Sequence, residues 1–88
     1  MDPGLAFGKV LRRVRKDTGL TQEQLALAAD IDRTFVSLME RGERQPTIRV
    51  LFKLANALHI PAAQLVQMTD DRVGIREGSS PVADVFEP

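Results

Sequence analysis

The segment from Arg33 to Arg41 carries the most pointed chemistry in this 88-residue chain. At about 100° per residue, with Arg33 at zero, Ser37 falls near 40°, Arg41 near 80°, Thr34 near 100° and Leu38 near 140°. Phe35, Val36 and Met39 fall between about 200° and 300° on the same wheel. One arc is apolar and faces a core. The other presents two guanidinium groups, two hydroxyls and a leucine. A guanidinium can bond guanine O6 and N7 together, hydroxyls can pair with several base edges, and an exposed apolar side chain can contact a thymine methyl. A solvated helix face is the plainer account of such an arc. Leu38 on the exposed side, and the shortness of the segment, argue for insertion into a groove.

Other chemistries find little support. There is no cysteine, so thiolate metal sites and disulfides are excluded. The single histidine, His59, excludes two-histidine sites and follows Leu58 at a helix end, where a histidine suits the dipole better than catalysis. Asp70-Asp71 has no supporting cluster for paired-acid chemistry. No enzyme activity, metal or cofactor is expected. Without Trp or Tyr, a stacking platform for single strands is unexpected. No apolar run approaches the roughly 20 residues of a membrane span. Met1-Asp2-Pro3-Gly4 lacks a signal peptide's basic and apolar regions, and a cytoplasmic protein is expected.

Formal net charge is zero, but the charges are segregated. Residues 1–69 hold ten Lys/Arg and seven Asp/Glu, whereas residues 70–88 hold two and five. The chain divides accordingly into a mildly basic body, 1–69, and an acidic tail, 70–88, expected to be extended or disordered.

The elements that position the Arg33 arc are all helical. Phe7, Val10, Leu11 and Val14 form one stripe of a first helix, about Leu5 to Lys16, stopped at Asp17-Thr18-Gly19. Thr21 and Gln24 fit a capping box, flanked by the apolar staple of Leu20 and Leu25. That second helix ends near Ala28 or Ala29. The third restarts with Asp32 as N-cap, stapled by Ile31 and Val36, and ends at Arg41-Gly42. Thr47 caps a fourth helix whose face is Val50, Leu51, Leu54, Ala55 and Leu58. Pro61 opens a fifth, Ala62 to about Met68. Two short helices joined by a tight turn form a helix-turn-helix, whose second helix enters the major groove. The residues alone leave two readings open, DNA binding and a helical protein-binding module.

Gly19-Leu20-Thr21-Gln22-Glu23-Gln24-Leu25-Ala26, with Phe35 to Thr47 and Leu51 to Leu58, resembles the lambda-repressor-like, xenobiotic-response-element-type helix-turn-helix regulators. The resemblance covers residues 6–68, and compact members of the family resemble restriction–modification controller proteins. It implies an all-α, compact five-helix DNA-binding domain and a transcription regulator that reads a palindromic double-stranded operator as a homodimer. Residue by residue, it implies that Arg33, Thr34, Ser37 and Leu38 read bases. Gln22, Arg41, Arg44, Gln45 and Thr47 meet phosphates, and Arg15 and Glu40 form a structural ion pair. Helix 5 is the expected dimer surface, with Val66 and Met68 foremost and Ile60 and Ala62 beside them. Two positions depart from the family: Asp30 stands where glycine is usual in the turn, and Asp32 where Ser or Thr is frequent. Both acids oppose phosphate attraction, and Asp32 has the acceptor chemistry for a cytosine amino group. Val82, Val85 and Phe86 leave open a different role, an antitoxin-like module that engages a second protein through its tail.

Overall fold

The computed structural model describes residues 1–74. The tail residues Ile75, Val82, Val85 and Phe86 lie outside that range. Among the described residues five helices follow one another: α1 Pro3–Asp17, α2 Gln22–Ala29, α3 Arg33–Glu40, α4 Ile48–Ala57 and α5 Ala62–Val73. Helix α1 packs on α3 and α5, α2 on α3 and α4, and α4 on α5. Leu11, Leu25, Val36, Met39, Leu54 and Leu65 are the large side chains fully buried at their common centre.

Local signals set most boundaries. Pro3 opens α1 behind Asp2, whose Oδ2 accepts from the Leu5 amide at 3.0 Å. Thr21 and Gln24 close both bonds of the capping box, at 3.0 and 2.9 Å. Thr47 Oγ1 accepts from the Val50 amide at 3.1 Å. Helices α1 to α4 all end the same way, on a left-handed residue: Gly19, Asp30, Gly42 and His59 in turn. Each of these donates its amide three residues back, and the next amide donates five back, as in Leu20 to Arg15 and Ile31 to Ala26. This Schellman arrangement satisfies end carbonyls that would otherwise be orphaned. Asp30, at φ 57°, takes the place of a glycine through aspartate's tolerance of that region.

Two elements differ from the sequence expectation. Helix α5 runs to Val73 rather than ending near Met68, so residues 70–73, assigned to the tail, are helical. Met68 packs against the core, Thr69 Oγ1 donates to the Leu65 carbonyl at 2.8 Å, and Gln67 Nε2 reaches Asp71 Oδ1 at 2.9 Å. The Met1 terminal amine donates to the Val73 carbonyl at 3.0 Å and α5 packs along α1, so tertiary contacts accompany the helix through a stretch with no apolar period. Asp32 holds the N-cap position of α3 but makes no capping bond with its side chain. Its own carbonyl takes the Phe35 and Val36 amides instead, at 3.0 and 3.2 Å.

Candidate DNA-reading face

The turn between α2 and α3 is short, and its geometry is fixed from both ends. Leu25, Ala26 and Ala29 bury one side of α2, and Val36 and Met39 bury one side of α3. Ile31, within the turn, packs on the same core. The remaining side of α3 is thereby turned outward. Arg33 and Thr34 are exposed, and Ser37 and Leu38 half-buried. Gln22, Arg33, Thr34 and Ser37 line one shallow concavity. Asp32, Thr34, Phe35, Leu38 and Arg44 line a second, which shares Thr34 with the first.

Behind this face three side chains tie three helices together. Arg15 Nε donates to Glu40 Oε2 at 2.6 Å, and a terminal nitrogen of Arg15 donates to Glu40 Oε1 at 3.0 Å. The other terminal nitrogen donates to the Leu20 carbonyl at 2.8 Å. Gln22 Nε2 donates to Glu40 Oε1 at 3.0 Å. The Arg15 and Glu40 side chains are 10% and 3% exposed, so the pair is shielded from solvent. A guanidinium fork on a carboxylate is the geometry in which such a pair is strongest. The network joins the C-terminal half of α1 to the first residue of α2 and the last of α3. It fixes the angle at which α3 is presented. The Gln22 amide carries a second hydrogen besides the one given to Glu40.

The phosphate candidates surround α3. Arg41, Arg44, Gln45 and Thr47 are exposed and lie on or beside the α3–α4 connection. Arg41 Nε stands 3.4 Å from Glu43 Oε2, with both side chains more than half exposed. An exposed pair of this kind contributes about 0–1 kcal/mol and releases its arginine readily. The Thr47 hydroxyl is occupied as a cap.

The dimer candidates are less uniform. Val66 is 50% exposed, but Ile60, Ala62 and Met68 are half-buried and pack against the chain's own core. The large exposed apolar side chains on the neighbouring helix are Ile48 and Phe52, 72% and 61% exposed and one turn apart on α4. Sequence reasoning passed over both. The signal was present, because on the helical wheel they lie roughly 90° and 130° from the centre of the Leu51, Leu54 and Leu58 stripe, beside the core arc rather than within it. The basic cluster at the C-terminal end of α1, Arg12, Arg13, Arg15 and Lys16, suits the helix dipole, but with Lys9 in place of the buried Arg15 it is also an outward row: Lys9, Arg12, Arg13 and Lys16 are all exposed and line one concavity with Asp17 and Glu40. Their i, i+3, i+4, i+7 spacing was the available clue.

Five helices, a tight α2–α3 turn and an outward polar face on α3 define a helix-turn-helix protein. The helix-turn-helix family profile matches residues 11–65, and the chain belongs to that family. It is 37% identical over 71 residues to y4dJ of Sinorhizobium fredii, an uncharacterised HTH-type transcriptional regulator, covering 81% of this chain and 92% of the relative. The restriction–modification controller protein C.AhdI from Aeromonas hydrophila superposes with a TM-score of 0.68 at 41% identity, over 69% of this chain and 92% of that one. The controller protein C.Esp1396I bound to a 19 base pair DNA duplex superposes at 0.75 with 27% identity, over 84% and 99%. Among the described residues no helix is long and apolar enough to cross a membrane.

Proposed function

We propose that the chain is a sequence-specific transcription regulator that reads a palindromic operator through the major groove as a homodimer. The observation that carries this reading is the outward α3 face, Arg33, Thr34, Ser37 and Leu38, braced from behind by the Arg15–Glu40–Gln22 network. An eight-residue helix held at a fixed angle, with hydroxyls and a guanidinium outward, matches the dimensions and edge chemistry of the major groove. Arg41, Arg44 and Gln45 flank it, so phosphates on the groove walls would set the register while α3 reads bases. The backbone amides opening α2 and α4, around Gln22 and Thr47, add donors for phosphate. One such unit reads half a site, and two related by a two-fold axis read a palindrome with half-sites about 34 Å apart. C.Esp1396I, a relative solved on duplex DNA, supports the same partner for this chain. A DNA partner supports a cytoplasmic location for the chain.

Selection of duplexes from a random pool by the purified chain tests the reading. The expected result is an enriched palindrome. Arg33→Ala should then lose about 1–3 kcal/mol of discrimination at one base pair per half-site. Uniform weakening on every duplex would reassign Arg33 to phosphate, and no enrichment at all would refute sequence-specific binding.

A further inference from the structure

We infer that Asp32 is a specificity-determining residue of this same face, its carboxylate accepting from the exocyclic amino group of a cytosine at or beside the base pair met by Arg33. The inference rests on the DNA reading above. Four helices begin behind a side chain able to cap: Asp2, Thr21, Asp32 and Thr47. Three of the four cap, at 3.0, 3.0 and 3.1 Å. Asp32 alone does not, although its backbone, at φ −73° and ψ 142°, has the extended geometry of an N-cap. The Phe35 amide that its side chain would take is bonded to its own carbonyl. The carboxylate is exposed and forms no ion pair among the described residues. It lines the concavity of Thr34, Leu38 and Arg44, which places it among the reading side chains rather than behind them.

An ionised carboxylate accepts and cannot donate. In the major groove it is repelled by the guanine O6 and N7 and thymine O4 acceptors, and attracted to amino groups. Adenine offers an amino group beside the N7 lone pair, which opposes the second carboxylate oxygen. Cytosine offers one beside a C–H, so cytosine is the better fit. The neighbouring Arg33 has the opposite need, for guanine acceptors. Two successive residues of opposite charge thus match the opposite polarities of the two bases in a C·G pair. The same carboxylate opposes phosphates, so it weakens binding where no amino group meets it and widens the gap between right and wrong sites.

The full chain, Asp32→Ser and Asp32→Ala should each be put through random-duplex selection, then titrated at fixed salt against the best duplex and an unrelated one, with melting curves alongside. Serine keeps a capping oxygen and removes the charge. The expected result for Asp32→Ser is an unchanged melting temperature, roughly tenfold lower discrimination at one cytosine per half-site, and tighter binding to the unrelated duplex. An unchanged cytosine preference overturns the inference. With equal tightening on all duplexes it shows a merely repulsive charge, and with a melting loss in alanine that serine restores it shows a helix cap. A wild-type chain that enriches no sequence overturns the DNA reading, and this inference with it.

Discussion

At the scale of single residues, Glu40 holds the most consequential position. Its two oxygens accept three bonds, from Arg15 twice and from Gln22. Glu40→Gln leaves one acceptor and a solvent-shielded guanidinium without its counter-charge. Breaking a buried pair costs about 3–5 kcal/mol, and the retained amide oxygen places this variant toward the lower end. A fall in the denaturant midpoint with an unchanged slope would show it. An unchanged midpoint would mean that the pair contributes nothing net. Gln22→Ala should behave differently. It removes one hydrogen bond to Glu40, a loss of about 1 kcal/mol, and it weakens all duplexes alike. Selective weakening on one sequence would instead make Gln22 a base contact. Little of this network was legible beforehand. The wheel puts Glu40 at the border of the core arc, which asks for a partner without naming one. Arg15 came from family resemblance. The Gln22 bond depends on how α2 crosses α3, and no local pattern encodes that crossing.

At the scale of elements, the helix ends were legible because their signals are local. Gly19, the Thr21–Gln24 box and the turn at Asp30 each act within a few residues. The end of α5 was not legible, because what meets it is tertiary: packing on α1, Met68 against the core and the bond from the Met1 amine to the Val73 carbonyl. The left-handed closures make a testable pair. Asp30 and His59 occupy positive φ, where an L-residue pays a backbone cost that glycine avoids. Asp30→Gly and His59→Gly should each raise stability, by up to about 1 kcal/mol, and less at Asp30 because aspartate tolerates the region better. A lowered melting temperature in either would reveal a side-chain contact that outweighs the strain. Gly8 presents the opposite case. It lies mid-helix in α1, where alanine would ordinarily stabilise by about 1 kcal/mol. A Cβ there would stand 2.4 Å from the Met39 carbonyl oxygen and 2.7 Å from that of Glu40. Both are backbone atoms and cannot swing aside. Gly8→Ala should therefore destabilise by about 1–3 kcal/mol and tilt α3 away from α1, with weaker DNA binding as a consequence.

At the scale of the whole molecule, the proposed homodimer raises the question of which surface a second copy would cover. A palindromic operator needs two reading helices in a two-fold relation, so the contact must be self-complementary. Of the residues on and beside α5 chosen from sequence, Ile60, Ala62 and Met68 are partly buried against the chain's own core, and Val66 alone is half exposed. The helix that packs beside α5 adds Ile48 and Phe52, both more exposed than Val66. Phenylalanine is a frequent anchor at the centre of such contacts, and one left mostly in water has little to gain within the monomer. The expected interface therefore centres on Phe52, with Ile48 and Val66 around it. Phe52→Asp should convert the dimer to a monomer in sedimentation at micromolar concentration while leaving the helical signal and melting cooperativity intact, because the side chain is not part of the core. Binding to a palindrome should drop steeply, and binding to a half-site should change little. A dimeric Phe52→Asp would move the interface elsewhere. Truncation after Gly74, chosen because α5 runs through Val73, separates the remaining alternatives. A truncated chain that stays dimeric and binds its operator assigns no part in either to residues 75–88. A truncated monomer places the interface there, and a truncated dimer that no longer binds DNA gives those residues a direct role on the duplex.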